Sequence, residues 1–254
     1  MDASDATWHA STVPAGPPVT WPSGWTVEVV DETGSTNADL LSAAAEARAP
    51  DRAVLVARHQ RAGRGRLDRR WEAPAGANLL VSLLFRTVPE HPHELTQRVA
   101  LAAAIASERL SSTRPVLKWP NDLLVVGPDG TAAKLAGVLA EAGTAGGSVT
   151  HVVVGLGLNV GWAPEGAALL GRGLDPLVLL AEMLAVYDSL PDDVYPVYCA
   201  ALHTLGKRVR VERAGSTLEG RAIDVGRDGR LEVLDDCAVT HRVDVGDVIH
   251  LRPA

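Results

Sequence analysis

Runs of hydrophobic positions divide most of the chain into short strands and a few helices. Apolar runs bounded by Gly, Pro and Asp turns predict the strands of a mixed or antiparallel sheet, at residues 25–32, 53–57, 78–85, 116–118, 123–126, 135–142 and 151–158. Helical stretches are predicted at residues 94–110, 176–190 and 194–205. Ser35, Thr36 and Asn37 precede a further helical run, where short polar residues favour a helix start. The pattern indicates an α+β fold.

The pattern changes at both ends of the chain. Residues 1–24 are rich in Ala, Ser, Pro and Gly, which is typical of an extended or poorly ordered tail. From residue 206 onward the chain becomes a series of short alternating segments, at 208–212, 217–225, 230–233 and 239–243. This series predicts a small SH3-like β-barrel. We therefore expect a flexible tail, a larger α+β domain and a C-terminal β-domain, at residues 1–24, 25–205 and 206–254.

Composition narrows the classes of function. A chain of 254 residues with 46% hydrophobic content can bury a full core, and its formal net charge of −7 argues against a general nucleic-acid binder. Cys199 and Cys237 stand far apart without C-x-x-C spacing, which supports neither a disulfide framework nor a zinc site. We expect no secretory signal, because the N-terminus lacks a basic start followed by an apolar run, and no membrane helix, because no apolar run is long enough. We expect a cytoplasmic protein that contacts neither nucleic acid nor membrane.

One segment concentrates positive charge. The Arg/Gly loop, residues 59–71, carries five arginines and two glycines between the strands predicted at 53–57 and 78–85. Glycines allow backbone N–H groups to approach a ligand, and guanidinium groups match phosphate or carboxylate oxygens. We expect the loop to connect two strands that meet at one edge of the sheet. Considered alone, it is either an anion site or an ordinary solvated basic turn.

Three further blocks follow the Arg/Gly loop along the chain. They are Lys118-Trp119-Pro120-Asn121-Asp122, Lys134-Leu135-Ala136-Gly137 and the segment from Gly155 to Asn159. Together with Ser35-Thr36-Asn37, Gln60, Gly63-Arg64-Gly65-Arg66 and Trp71, this ordered set resembles the biotin protein ligase family, from about residue 27 to residue 252. The resemblance implies the fold shared with class II aminoacyl-tRNA synthetases. Because only a short tail precedes the first predicted strand, the resemblance is to the monofunctional form without a DNA-binding domain.

The resemblance implies a two-step ligase reaction. Biotin and ATP, the latter with Mg²⁺, give biotinyl-5′-adenylate and pyrophosphate, and a lysine of a biotin carboxyl carrier domain then takes the biotin. The catalytic residues it implies are Lys134, Arg64, Arg66 and Asp122. The first three are cations that offset the negative charge of the reacting groups. Asp122 would orient, or deprotonate, the acceptor lysine; its alternative interpretation is a turn residue.

The resemblance also implies the residues of two binding sites. Those for biotin are Ser35, Thr36, Asn37, Gln60, Gly63, Arg64, Gly65, Lys134, Gly137, Gly155 and Gly157. Those for ATP or the adenylate are Arg66, Arg69, Trp71, Lys118, Asn121, Lys134, Asn159 and Arg252. Each also has an ordinary interpretation: a helix cap, a surface glutamine, a bulge glycine, a strand-end lysine or a terminal arginine. We assign no protein-bound metal, since His91 and His93 lack further ligands.

The Arg/Gly loop departs from the family at one position. Many members have Gly where this chain has Asp68, which could pair with Arg66 or Arg70 and change loop order. Because the arginines repel one another, we predict a loop that is disordered until it closes over biotinyl-adenylate.

Other functions remain open from the sequence. A lipoate ligase or octanoyltransferase of the same fold is one alternative, and a non-catalytic biotin-sensing protein is another. Nucleic-acid binding through the loop conflicts with the net charge. The expected oligomeric state is a monomer or a weak homodimer, while the acceptor carboxylase, the order of substrate binding and the role of the tail stay undetermined.

Overall fold

The computed structural model describes residues 19–67, 69–213, 216–244 and 247–251 of the chain. The expectations for the tail before residue 19, for Asp68 and for Arg252 lie outside these ranges.

A seven-stranded mixed sheet forms the larger part of the molecule. Its strands are β1 (Thr26–Thr33), β2 (Ala53–Gln60), β3 (Leu79–Phe85), β4 (Val116–Lys118), β5 (Asp122–Val126), β6 (Ala132–Ala145) and β7 (Ser148–Leu158), in the order β1-β2-β3-β7-β6-β5-β4. Only β1 and β2 pair in parallel; the other neighbours are antiparallel. The predicted mixed sheet is confirmed. The Arg/Gly loop connects the paired strands β2 and β3, but β1 extends the sheet beyond β2, so the prediction that these strands meet at the sheet edge was wrong.

Helices cover both faces of this sheet. They are α1 (Thr36–Ala45), α2 (His93–Leu110), α3 (Pro176–Ser189) and α4 (Tyr195–Ala201). Successive residues of β2 face opposite sides, since Leu55 packs with α1 whereas Val54 belongs to the large core with α2 and α3. Asp175 caps α3 by accepting a hydrogen bond from Leu177 N at 2.8 Å, and Pro176 occupies the first helical position.

Residues on the α1 side of β7 explain where the cavity lies. Val153 packs beneath α1 in a buried apolar cluster. The next two residues on that face are Gly155 and Gly157, which lie where the helix begins and beyond it. Because these positions carry no side chains, the face that α1 leaves uncovered is recessed.

The C-terminal region forms a second sheet of five antiparallel strands. They are β8 (Arg208–Arg213), β9 (Ser216–Val225), β10 (Leu231–Leu234), β11 (Thr240–Val243) and β12 (Asp247–His250), in the order β11-β10-β9-β8-β12. Strand β12 was not predicted. The last helix was predicted to reach residue 205, but α4 ends at Ala201 because Leu202 forms a bridge with Leu117.

The second sheet packs against the hairpin between β4 and β5. Trp119 Nε1 donates to Gly229 O at 2.9 Å, and Trp119 N donates to Thr204 Oγ1 at 2.9 Å. Tyr195 at the start of α4 donates its hydroxyl to Val225 O at 2.6 Å. The C-terminal sheet thereby fixes the hairpin that carries Asn121 and Asp122.

Candidate active site

A cavity of about 330 Å³ opens on the α1 face of the main sheet, a volume typical of small-molecule sites. It brings together most of the residues singled out in the sequence: Ser35, Thr36, Asn37, Gln60, Arg64, Gly65, Arg66, Arg69, Trp71, Asn121, Asp122, Lys134, Gly137, Gly155, Gly157 and Asn159. Gly63 and Lys118 lie outside this lining. Blocks that are up to 124 positions apart in the chain, Ser35 to Asn159, therefore meet in one site.

One end of the cavity is polar but uncharged. Thr36 N donates to Gln60 Oε1 at 2.8 Å, which joins the start of α1 to the end of β2. Ser82 Oγ donates to Asn37 Oδ1 at 2.6 Å and lies 2.7 Å from Thr36 Oγ1. Ser35 occupies the N-cap position with an extended backbone but makes no side-chain capping bond. Hydroxyl and amide groups at this end suit a neutral ligand with both donors and acceptors.

The glycines of β6 and β7 form the floor of the cavity. A Cβ on Gly155 would lie 2.3 Å from Asn37 Oδ1, and one on Gly157 would lie 2.5 Å from Trp71 Cε2. Gly137 pairs with Gly157 across the two strands, and its Cβ would lie 3.2 Å from Lys134 Nζ. None of the three glycines has a positive φ, so backbone conformation does not require them. Their role is to let neighbouring groups lie close to the sheet.

The described residues 61–67 and 69–71 of the Arg/Gly loop cover the cavity and form its lid. Gly65 N donates to Arg69 O at 2.7 Å and Trp71 N donates to Gly63 O at 3.0 Å. A Cβ on Gly63 would lie 2.4 Å from Trp71 O, so this glycine permits the close turn although it does not line the cavity. The predicted disorder of the loop before ligand binding stays a prediction.

Two cations of the site are held by acidic or amide side chains. Lys134 Nζ lies 2.6 Å from Asp122 Oδ1, and Arg66 Nη1 donates to Asn121 Oδ1 at 3.2 Å. A register shift between Leu123 and Leu124 in β5 accompanies this pairing with β6. A carboxylate and an ammonium therefore face the same cavity as the lid arginines.

Trp71, the last residue of the lid, lies against the floor of the cavity. Its ring centroid is 5.7 Å from Lys134 Nζ, and its ring lies against Gly157. Within the described residues, its buried Nε1 has no hydrogen-bond partner. A buried donor of this kind is costly unless a ligand atom accepts from it.

Lys118 and Asn159 have different surroundings from the residues above. Lys118 is the backbone partner of Asp122 in the antiparallel β4–β5 hairpin, and it lies near His250. Burial, followed by the charges of Lys118, His203 and Lys207, lowers the pKa of His250 to about 4. Asn159 is buried and donates to Ala168 O at 3.0 Å. Asn159 thus holds the segment after β7, whose Pro164 and Ala167 line the cavity.

Sequence reasoning missed several of the residues that build the site. Ser82 is the one polar residue in the apolar run of β3, a signal that was available. Glu141, which accepts from Asn37 and Arg64, gave no comparable signal because charged residues commonly alternate along exposed strands. Pro164 and Ala167 carry no motif.

The described residues provide neither a cluster of metal ligands nor a membrane-spanning helix. No three His, Cys, Asp or Glu side chains in these ranges come together as a metal site. Among the helices that the structure describes, none is long and apolar enough to cross a membrane.

The chain matches two protein-family models. Residues 29–159 match the biotin/lipoate A/B protein ligase family, and residues 204–251 match the biotin protein ligase C-terminal domain. The first match contains the Arg/Gly loop, the Lys118–Asp122 block and the floor glycines. The second contains all five strands of the C-terminal sheet.

Curated and solved relatives cover nearly the whole chain. A biotin–acetyl-CoA-carboxylase ligase of Mycobacterium tuberculosis is 40% identical over 91% of each chain. A protein of the same name from Paracoccus denitrificans is 35% identical over 80% of this chain and 88% of its own. The fold is similar to that of the biotin protein ligase of Aquifex aeolicus in complex with biotin and ATP, with a TM-score of 0.73 and 23% identity over 90% of this chain and 99% of that one. The chain belongs to the biotin/lipoate A/B protein ligase family.

Proposed function

We propose that this protein is a biotin–acetyl-CoA-carboxylase ligase, which forms biotinyl-5′-AMP from biotin and ATP and transfers biotin to a lysine of a carboxyl carrier domain. One observation carries the proposal. A single cavity combines a neutral polar end, a glycine floor, a lysine–aspartate pair and an arginine lid. The two relatives named as such ligases, at 40% and 35% identity, support the same activity.

The neutral end of the cavity fits the ureido ring of biotin. This ring carries N–H donors and a carbonyl acceptor but no charge, as do the groups that Ser35, Asn37 and Gln60 present. Gly155 and Gly157 would let the rest of the molecule lie close to the sheet. Biotin in this orientation directs its carboxylate away from α1 and toward Lys134.

The first step joins two anions. An oxygen of the biotin carboxylate attacks the α-phosphorus of ATP, and the bond to the pyrophosphate oxygen breaks. Lys134 and Arg66 would stabilise the charge on the transferring phosphorus, which is the main contribution that a protein makes to such a step. Asp122 and Asn121 present oxygen atoms that could hold a Mg²⁺ ion bound to the ATP phosphates, and such an ion would offset the negative charge on the departing pyrophosphate.

The second step needs a neutral amine. The acceptor lysine nitrogen attacks the carbonyl carbon of the anhydride, the bond to AMP breaks, and the amine loses a proton. Asp122 faces the same cavity as Lys134, and we assign it to orient the acceptor lysine or to take up its proton.

We assign the remaining nucleotide contacts to residues of the lid, of the β4–β5 hairpin and of the C-terminal region. We assign Arg69 and Trp71 to the adenylate, with the Trp71 Nε1 donor directed to a ligand atom. Lys118, Asn121 and Arg252 complete the proposed nucleotide site, while Asn159 acts by holding the segment after β7. The proposed domain boundaries remain 25–205 and 206–254, and the expected state remains a monomer or a weak homodimer.

A transfer assay tests the proposed function. The protein is incubated with biotin, MgATP and a carrier-domain acceptor, while acceptor mass and pyrophosphate are measured together. We expect a biotinyl mass on the acceptor and a loss of roughly a hundredfold or more in Lys134→Ala. Lys207→Ala, an exposed lysine outside the cavity, is the matched control and keeps the wild-type rate. Transfer of lipoate instead of biotin, or biotin binding without pyrophosphate release, would contradict the proposal.

A further inference from the structure

Glu141 lies next to the uncharged polar end of the cavity but outside its lining, on strand β6, which forms part of the floor. It follows Gly137 and Leu139 on the same face of β6, because residues two apart in a strand share a face. Gly137 and Leu139 line the cavity, and Glu141 is the next residue on that face. Its position places a fixed negative charge at the boundary of the site.

The carboxylate of Glu141 joins two parts of the site that are distant in sequence. Its Oε2 accepts a hydrogen bond from Asn37 Nδ2 at 2.8 Å. Arg64 Nη2 donates to Oε1 at 3.0 Å and lies 3.2 Å from Oε2. Glu141 therefore contacts both the start of α1 and a lid arginine, Arg64.

Asn37 has little freedom to adjust if this contact is lost. It is buried, its Nδ2 also donates to Leu139 O at 3.1 Å, and its Oδ1 accepts from Ser82. Glu141 completes the set of partners that fixes the amide above Gly155. A change at Glu141 thus reaches the neutral end of the cavity and the lid together.

The lid requires an anchoring anion because its arginines repel one another. Arg61 and Arg70 also form ion pairs, with Glu32 at 3.3 Å and Glu72 at 3.6 Å. Those pairs are longer and more exposed than the pair of Arg64 with Glu141. Exposed pairs contribute little, so among these three described ion pairs that of Arg64 with Glu141 is the best suited to dock the lid.

We propose that Glu141 is a positioning residue for biotin activation: it docks the lid through Arg64 while it orients Asn37 toward the biotin ring. This inference rests on the proposed function. It predicts that ring binding and lid closure are coupled, because one carboxylate serves both. A lid that is not docked would admit water to the adenylate.

The test replaces Glu141 by glutamine. Glu141→Gln keeps an oxygen that accepts from Asn37 but removes the charge that holds Arg64. We expect the KM for biotin to rise about fivefold, the scale of a partly exposed ion pair, with kcat for pyrophosphate release nearly unchanged. The ratio of pyrophosphate released to acceptor biotinylated should also rise, because adenylate is lost to water. A double-mutant cycle with Arg64→Gln should be non-additive.

Glu182→Gln is the matched control. Glu182 accepts from Arg109 at 2.8 Å on the outer helices, and its side chain is 29% exposed against 27% for Glu141. This variant should leave both KM and the product ratio unchanged. An unchanged product ratio in Glu141→Gln, or additive effects with Arg64→Gln, overturns the proposal even if the melting temperature falls.

Failure of the proposed function would look different. Wild-type protein would then release no pyrophosphate with biotin and MgATP. Titration calorimetry with biotin alone still tests Glu141 in that case. Weaker biotin binding in Glu141→Gln than in Glu182→Gln supports the positioning role, and equal binding overturns it.

Discussion

The floor and the lid of the cavity are built by different physical means. The floor consists of glycines on two paired strands near the centre of the main sheet, and its shape follows from missing side chains. The lid is a loop between strands β2 and β3 whose described arginine contacts run to Glu141, Asn121, Glu32 and Glu72. Steric exclusion fixes the first surface and charge holds the second.

Because the floor and the lid are built differently, substitutions in the two regions should affect ligand binding differently. Protein interiors are close-packed, so an added methyl group in the floor has no space and must displace a neighbour. Ion pairs at a partly exposed lid are weak and screened by salt. Floor substitutions should therefore cause large losses of binding, whereas lid substitutions should cause graded ones.

The largest effect is expected for Gly155→Ala. The new Cβ would lie 2.3 Å from Asn37 Oδ1, and Asn37 is fixed by Ser82, Leu139 and Glu141. Overpacking of this kind costs about 1–3 kcal/mol, which corresponds to a biotin affinity about fivefold to 150-fold weaker. Titration calorimetry with biotin measures the change.

Gly34→Ala provides the control for that substitution. Gly34 precedes the same helix, its φ is not in the positive region, and a Cβ there would meet no atom within 4 Å. Its biotin affinity should match that of the wild type. Wild-type affinity in Gly155→Ala would show that steric exclusion does not define the floor.

A smaller effect is expected where floor and lid touch, at Gly157. The Cβ of Gly157→Ala would lie 2.5 Å from Trp71 Cε2, but Trp71 belongs to the lid and can move with it. We expect biotin binding about fivefold weaker. Adding Gly157→Ala to Trp71→Ala should cost almost nothing more, because the clash is already removed. Independent, additive losses measured by calorimetry would contradict this contact.

The floor was more accessible to sequence reasoning than the lid contacts. Gly137, Gly155 and Gly157 could be singled out because a glycine inside an apolar strand often marks a bulge or a close approach of another group. The strands themselves follow from alternation and turn residues, and the helix start at Ser35 follows from short polar residues. Local signals of these kinds need no knowledge of distant parts of the chain.

Long-range partners could not be read in the same way. Glu141 meets Arg64 across 77 positions, and nothing in its neighbourhood distinguishes it from a solvent-facing strand residue. The pair of Lys134 and Asp122 depends on how β5 and β6 align, including a register shift at Leu123 and Leu124. The early end of α4 has a similar cause, since the pairing of Leu202 with Leu117 overrides local helical preference.

The smallest predicted effect concerns the contact between Thr204 and His250, beside the β4–β5 hairpin. We expect acid to reduce the stability that this contact provides, independently of the lid. Thr204 Oγ1 accepts from Trp119 N and lies 3.2 Å from His250 Nε2, so its hydroxyl proton is available to a neutral His250. Burial, together with Lys118, His203 and Lys207, lowers the pKa of His250 to about 4. The unfolded chain takes up this proton near pH 6.5 and the folded protein only near pH 4, so this stabilisation is complete above pH 6.5 and declines as pH falls to 4.

His250→Gln should therefore reduce the acid sensitivity of the fold. Glutamine keeps an oxygen that can accept from Thr204 but takes up no proton. Because His250 is partly exposed, we expect the fall in Tm between pH 7 and pH 4.5 to be only about 2–4 °C smaller in the variant than in the wild type. The comparison uses the change with pH within each protein, since His93, His151 and His203 also have lowered pKa values and act in both. Parallel Tm curves would show that protonation of His250 does not weaken its contact with Thr204, and the acid response would then come from other groups with lowered pKa values, such as those three histidines.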